Sequence, residues 1–219
     1  MDSTELKKEH KFFTKDLDLD LDSVFEYVEK LNESMLEGKF PNISKELAAE
    51  RNESNGMATS LSTHYNIFTM PNGEIYDLYI ALRETTIKAC DYYGIDFKKA
   101  KFQISGWFNY DQIDNYNEPP DEERFFHEHY GGKGFPDFHG YYSVKSEPSN
   151  TLYRVDDKEE ITYVKNKNNR LILSETGHPH TRGSWKGPGN RVTIAYDIIP
   201  LKAILERTGT FGTATWIPL

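Results

Sequence analysis

Histidines that could bind a metal ion stand at two places in the C-terminal half of the chain. His127 and His129 are two residues apart, and His180 follows a second apolar stretch. Residues two apart on a strand point to the same face, so the first two imidazoles would project together while Glu128 points away. Such a pair can supply two imidazole ligands to one transition-metal ion. We therefore expect one metal ion held by histidines from both places, with coordination positions open on one side.

An arginine at the start of a predicted strand follows the second group of histidines. Arg191 and Thr193 share one strand face, where they offer a guanidinium and a hydroxyl to a carboxylate. Arg191 comes 11 positions after His180, a spacing that suits a hairpin between neighbouring strands. Either His178 or His180 could be the distal ligand, and Pro179 between them disfavours both facing one ion. The arrangement predicts an acidic co-substrate beside the metal ion.

Short strand-like segments dominate the chain after Gly94, and these elements must position the side chains named above. They are rich in β-branched and aromatic residues, and clusters of Gly, Pro, Asn and Asp separate them. Seven or so strands of this kind indicate a two-sheet sandwich or jelly roll. The predicted strands are Lys101–Phe108, Arg124–Tyr130, Phe138–Lys145, Thr151–Val155, Ile161–Val164, Arg170–Ser174 and Arg191–Ile198.

The N-terminal third has helical periodicity instead. Apolar residues recur at helical spacing over Val24–Met35, before Gly38, and again over Leu78–Tyr93. Gly94 follows the second run, and glycine in the left-handed conformation commonly ends a helix. We expect these helices to pack against one sheet, which gives a mainly β fold with N-terminal helices.

Composition limits the classes of protein that fit. The 219 residues carry a net charge of −9 and no dense basic stripe, which argues against general nucleic-acid binding. A single cysteine, Cys90, excludes an internal disulfide and fits a reducing compartment. No signal-peptide core or membrane-length apolar run is present, so we expect a cytoplasmic protein with no membrane contact. We also expect one domain over residues 1–219, with helical support and an entry segment in 1–100 and a β core in 101–200.

The order of these motifs resembles the Fe(II)/2-oxoglutarate-dependent dioxygenases. The shared pattern is His-x-(Asp or His), a Tyr-Tyr strand, a distal His and Arg-x-Ser/Thr, and it covers about Phe102 to Pro200. It is most similar to the prolyl-hydroxylase-like branch and to small oxygenases of the type found in phage genomes, which would place the protein in a host cytoplasm. The resemblance implies a double-stranded β-helix (jelly roll, cupin-like) core. It also implies hydroxylation of a C–H bond, with dioxygen, on a peptide or protein side chain or a small metabolite.

Residue roles follow from the same resemblance. The ligands of Fe(II) would be His127, His129 and His180. The residues that would bind 2-oxoglutarate are Arg191, Thr193 and Tyr142 at the far carboxylate, and Asn109 on the strand before the metal motif.

One departure from the family pattern concerns His129, which stands where Asp or Glu is usual. Three neutral imidazoles would leave the full charge on Fe(II) until the co-substrate binds, which changes metal affinity and redox tuning. Asp137 or His139 could instead supply a ligand, with His129 behind it, but we prefer His129. Two other functions stay open: a cupin-type three-histidine metal enzyme that does not use 2-oxoglutarate, and a non-enzymatic jelly-roll binding module. Substrate and oligomeric state are not fixed by the sequence.

Overall fold

Two antiparallel sheets and a layer of helices form the described part of the protein. The structure is a computed structural model that describes residues 9–40, 43–55, 64–111, 120–129, 137–155, 160–206 and 215–219. The strands are β1 (Phe13–Asp16), β2 (Phe102–Asp111), β3 (Phe138–Lys145), β4 (Asn150–Arg154), β5 (Ile161–Lys165), β6 (Arg170–Glu175), β7 (His180–Arg182), β8 (Arg191–Pro200) and β9 (Ile217–Pro218). The helices are α1 (Leu21–Leu36), α2 (Lys45–Asn55), α3 (Gly73–Tyr93), α4 (Phe97–Ala100) and α5 (Leu201–Glu206), with 3-10 turns at Ile67–Thr69 and Asp121–Glu123.

The strand order is that of a jelly roll. The large sheet runs β1-β6-β3-β8-β2-β9 and the small sheet runs β5-β4-β7. From β2 onward the chain crosses repeatedly between the sheets: β2 and β3 are in the large one, β4 and β5 in the small one, β6 in the large one, β7 in the small one and β8 in the large one. Antiparallel strands that alternate between two facing sheets define the jelly roll. The predicted fold class, mainly β with N-terminal helices, is confirmed.

The large sheet has one apolar and one polar face, because successive side chains of a strand point to opposite sides. Phe108, Tyr142 and Ile194 lie on the apolar face, fully buried, in the core that α1 and α3 complete. Residues on the other face pair across β2, β8 and β3, for example Asn109 with Thr193. This polar face is directed toward the small sheet, and the candidate metal site lies between them.

Helix ends follow their local sequence. Asp20 caps α1, and Asn72 caps α3 by accepting a hydrogen bond from the Ile75 N–H at 3.0 Å. Gly94 ends α3 in the left-handed conformation at φ 73°, as predicted. Among the residues that the structure describes, no helix has the length and apolar character needed to cross a membrane.

One predicted strand is wrong. The described part of Arg124–Tyr130 is not a regular strand; it makes one isolated bridge, His127 to His180, after the 3-10 turn. The Arg124 side chain bonds Asp121 and Ser184, which holds the start of this segment away from a ladder. The strand β7 was not predicted, because it has only three residues.

Candidate metal centre

Three imidazoles converge between the two sheets. The ligand nitrogens of His127, His129 and His180 all lie within 4.8 Å of one another, and Nε2 of His127 is 3.2 Å from Nε2 of His129. Their ring centroids are 4.6–5.1 Å apart. Nitrogen–metal bonds of about 2.1 Å put neighbouring ligand atoms roughly 3 Å apart, so small ring rotations would complete a site. The structure brings together all three predicted ligands.

Backbone pairing explains this convergence. The His127 N–H donates to the His180 carbonyl at 3.0 Å, and the His180 N–H donates to the His127 carbonyl at 2.9 Å. Directly paired antiparallel residues present their side chains on the same face. His129 lies two residues further and returns to that face. Two segments more than 50 residues apart in the chain therefore form one site.

Acceptors behind two of the rings determine which nitrogen faces the centre. Nδ1 of His129 lies 2.8 Å from Oδ1 of Asp197, and Nδ1 of His180 lies 3.4 Å from the carbonyl oxygen of His178. An ionised carboxylate and a carbonyl only accept, so Nδ1 carries the proton in both rings and Nε2 is left for a metal. Asp197 thereby supplies a negative charge beside His129.

Two further aromatic rings pack against the three histidines from the large sheet. Trp107 of β2 stacks on His129 with a centroid distance of 5.6 Å and an interplanar angle of 10°. His139 of β3 is buried and stacks on His180 at 4.3 Å. Within the described residues, neither His139 nor Asp137 belongs to the group of converging ligand atoms. The geometry thus favours His129 over both alternatives.

Of the two candidate distal histidines, His180 is the one that joins His127 and His129. His178 lies on the far side of Pro179 and joins a different group, with His10 and Glu175. The sequence left these two histidines as alternatives, and the short β7 places only the later one against His127.

The site holds its imidazoles in different protonation states. Loss of water contact, and then the neighbouring imidazoles, lower the pKa of His139 and His180 well below the ordinary value. The same causes lower the pKa of His127 to about 4, although its ring keeps an exposed side. Burial also lowers the pKa of His129, but the Asp197 carboxylate raises it more, so that the pKa ends above its ordinary value. Neutral imidazoles are the form that binds metals.

A buried basic group lies on the same polar face of the large sheet, here called the inner face. It is at the start of β8, whereas Asp197 lies toward the end of that strand. Arg191 is buried, and its Nη1 donates to Oδ2 of Asp111 at 3.1 Å. Arg182 of β7 approaches the same oxygen at 3.7 Å, which leaves the two arginines and one carboxylate with a net positive charge. Thr193 is also buried, and its hydroxyl accepts from the amide of Asn109 at 3.3 Å. The structure places all three of Arg191, Thr193 and Asn109 on the inner face.

Tyr142 is not brought to this face, and here the predicted set needs correction. Its hydroxyl donates to Oδ1 of Asn169 at 2.6 Å on the helix side of the sheet. Tyr141 lies on the inner face instead, where burial raises its pKa to about 12 against the opposing effect of the Arg191 charge. Because successive side chains of β3 point to opposite faces of the sheet, the neighbouring residues Tyr141 and Tyr142 lie on different faces.

The interior between the sheets fits a metal ion and a small anion. Within the described chain, Arg191 Nε, Asp111 Oδ1, Ser143 Oγ and His139 Nε2 are buried polar atoms with no hydrogen-bond partner, as is the hydroxyl of Tyr153. Buried polar atoms normally have partners. Tyr153 of β4 stacks on His180 at 5.4 Å, so this polar lining begins beside the three histidines. Imidazole nitrogens suit Fe(II), and a guanidinium edge suits a carboxylate.

Sequence reasoning missed Asp197, Asp111 and Arg182. A signal for Asp197 was present, since Arg191, Thr193 and Asp197 recur at even spacing along one face of β8. Asp111 carries no such signal, because only its register opposite Arg191 gives it a role.

Comparison with known proteins gives likeness in structure but not in sequence. No protein-family model and no curated protein matches the chain. A Pseudomonas putida prolyl-4-hydroxylase is similar over 87% of this chain and 93% of its own, with 11% identity and a TM-score of 0.47. A viral collagen prolyl hydroxylase from Paramecium Bursaria Chlorella virus-1, solved with 2OG, is similar over 86% and 97%, with 12% identity and a TM-score of 0.44. An oxidoreductase of the 2OG-Fe(II) oxygenase family from Burkholderia pseudomallei is similar over 59% of this chain, with 12% identity and a TM-score of 0.42. The matched region spans only 57% of that protein. At such identities, the function of this chain has to be inferred from its own residues.

Proposed function

We propose that this protein is a non-haem iron oxygenase that uses 2-oxoglutarate and dioxygen to hydroxylate a C–H bond. The observation that carries the proposal is the convergence of His127, His129 and His180 inside a jelly roll whose polar face also presents a buried arginine. A metal site and an anion site in one interior are what a keto-acid-dependent oxygenase requires.

Each histidine has one task in this proposal. His127, His129 and His180 would hold Fe(II) through Nε2, and three protein ligands leave positions for a keto acid and dioxygen. When bound, the iron with its co-substrates supplies the oxidising chemistry. The chain supplies orientation: Asp197 holds the His129 ring at 2.8 Å, and the His178 carbonyl holds the His180 ring.

The far carboxylate of 2-oxoglutarate would bind at Arg191, with Thr193 beside it and Tyr141 in place of Tyr142. Arg191 uses one edge of its guanidinium for Asp111, and its Nε has no hydrogen-bond partner within the described chain. The carboxylate would take that second edge. Arg182 adds a further positive charge at 3.7 Å from Asp111, which offsets the carboxylate already there. Burial of these groups strengthens the attraction, because few water molecules screen it.

A second function is favoured by one observation. Asp111 already forms a buried ion pair with Arg191. If the Asp111 charge neutralises Arg191 so far that no carboxylate binds at the second edge of the guanidinium, the protein is a three-histidine metal enzyme that does not use 2-oxoglutarate. The two functions share the metal centre and differ only at Arg191.

An anaerobic titration separates them. Fe(II) and then 2-oxoglutarate are added to the full chain, and two signals are followed: tryptophan fluorescence, because Trp107 stacks on His129, and the weak visible absorption of an iron-chelated keto acid. We expect both signals to saturate, and the absorption to require one equivalent of 2-oxoglutarate. His180→Ala should abolish the absorption, and Arg191→Ala should weaken 2-oxoglutarate binding by about 2–5 kcal/mol. His64→Ala, a histidine outside the metal-binding groups, is the control.

The outcomes discriminate cleanly. Fluorescence quenching by Fe(II) without the absorption band would support the enzyme that does not use 2-oxoglutarate. Unchanged 2-oxoglutarate affinity in Arg191→Ala would remove that residue from the proposal. No Fe(II) binding at the His180-dependent site would leave the non-enzymatic binding module.

A further inference from the structure

We propose that His10, Glu175 and His178 form a second site for a divalent transition metal, separate from the first. One ligand atom from each of these three residues lies within 4.8 Å of the other two. The rings of His10 and His178 meet edge to face, with centroids 4.1 Å apart. None of the three residues belongs to the group formed by His127, His129 and His180, so the two sites share no ligand.

Strand pairing brings this group together from opposite ends of the chain. In the antiparallel pair of β1 and β6, Phe13 lies opposite Leu173. Continuing that register, the residues just before β1 run alongside the residues just after Leu173, which brings His10 to the end of β6. Consistent with this, Nε2 of His10 lies 3.4 Å from Oγ of Ser174. The pairing of β1 with β6 therefore places His10 near the end of β6.

The turn after β6 supplies the third ligand. Gly177 has a positive φ of 86°, and the chain bends over residues 176–178, directly after Glu175. Within this bend, His178 lies close to Glu175 and His10, and its side chain is buried. Glu175 and His10 keep partly exposed sides, which gives an ion a path of entry.

The donor set selects the kind of ion. Two imidazoles and one carboxylate suit zinc and other divalent first-row metals, with water completing the coordination. Calcium and magnesium prefer oxygen ligands and would bind poorly. Bonds of about 2.1 Å place tetrahedral ligand atoms roughly 3.4 Å apart, so a contraction of little more than 1 Å would form the site.

Such a site would act on the first one through the backbone. The carbonyl of His178 faces Nδ1 of His180, so an ion on the His178 ring would restrain the segment that orients His180. The ion would also join the segment before β1 to the end of β6. We therefore assign the second site a positioning role, which holds the N-terminal segment against the jelly roll.

Zinc stoichiometry of the chelator-treated full chain tests the proposal, measured by competition with a chromophoric chelator. We expect two equivalents for the unmodified protein. His10→Gln and Glu175→Gln should each leave one equivalent, and the affinity lost should exceed the 10–100-fold typical of removing an outer-shell partner. His180→Ala should also leave one equivalent, and His10→Gln combined with His180→Ala should leave none. His64→Ala again serves as the control.

Hydrogen exchange gives a second readout that does not depend on the first site. In the His180→Ala background, zinc should slow amide exchange in residues 9–16, and His10→Gln should remove this protection. One equivalent in the unmodified protein, unchanged by His10→Gln, would overturn the second site and leave the first intact. Two equivalents that both persist in Glu175→Gln and in His10→Gln would overturn it as well. Loss of binding only in His180→Ala would support the first site alone.

Discussion

Asp197 decides the charge and orientation of the metal-binding histidines at the scale of single residues. The Asp197 carboxylate lies 2.8 Å from the His129 ring and places a negative charge beside the three imidazoles. A hydrogen-bonded carboxylate fixes the tautomer of a metal-binding imidazole and raises its basicity.

Asp197→Asn tests this role. The amide is nearly isosteric and still accepts a hydrogen bond, but the charge is lost, so we expect Fe(II) to bind about 10–100-fold more weakly. The pKa of His129 should fall, because the group that raises it is gone. Metal titration and histidine NMR would measure both effects. Asp16→Asn, which removes a surface carboxylate paired with Lys167, is the matched control. An affinity within twofold of the unmodified protein would exclude the role.

At the scale of elements, the connections between the helices and the large sheet hold β2 in register. Asn66, at the start of the Ile67–Thr69 turn, is fully buried and uses both ends of its side chain. Its amide donates to the carbonyls of Ile104 and Thr215 at 3.0 and 2.8 Å. Its carbonyl oxygen accepts from the N–H groups of Phe68 and Gly106, both at 3.1 Å. One side chain therefore connects a turn, a central strand and the C-terminal segment.

Asn66→Ala should cost about 3 kcal/mol or more of unfolding free energy, because buried backbone groups left unpaired cost about 1–3 kcal/mol each. Urea denaturation would measure the loss. Asn72→Ala, which removes an ordinary helix cap from α3, should cost only about 1 kcal/mol and is the control. Equal losses for the two variants would contradict the connecting role of Asn66.

At the scale of the whole molecule, the two faces of the large sheet differ in role: one face forms the apolar core, and the other carries the ionisable side chains. The face toward α1 and α3 is an apolar core, whereas the face toward the small sheet carries imidazoles, carboxylates and Arg191. Burying so many ionisable groups makes the stability of the metal-free protein depend on pH.

The metal-free protein should lose stability as the pH falls from about 6.5. His139 and His180 stay neutral in the folded state, and the unfolded chain takes up their protons below that pH. Each such proton lowers the unfolding free energy by about 1.4 kcal/mol per pH unit. His127 adds less, because its exposed side is screened by water. His129 has the opposite effect, because its pKa is raised in the folded protein. Its contribution to stability is fully present below pH 6.5 and is lost as the pH rises through the pKa that His129 has in the folded state.

The loss of stability caused by His127, His139 and His180 at low pH exceeds the gain from His129. We therefore expect an unfolding free energy about 2 kcal/mol or more lower at pH 5 than at pH 7. Urea denaturation with a chelator present would measure it, and staying at or above pH 5 avoids the titration of ordinary carboxylates. His139→Gln should reduce the slope. A stability that is constant or higher at pH 5 would show that these imidazoles are not buried neutral.

The sequence by itself determined the local features: the shared face of His127 and His129, that of Arg191 and Thr193, the end of α3 at Gly94, and a sandwich of short strands. These depend on residue spacing and backbone preference, which neighbouring residues decide. The single-domain division and the cytoplasmic location stay predictions.

Only the tertiary structure decided between Tyr141 and Tyr142. All but the last residue of β3 are buried, so alternation between buried and exposed positions cannot tell which face of the strand meets the small sheet. The allocation of His180 to one candidate metal site and of His178 to another depended on the pairing of His127 with His180. The pairing of β1 with β6 brings His10 near Glu175, and the register of β2 with β8 places Asp111 beside Arg191, across distances in sequence that no local pattern spans.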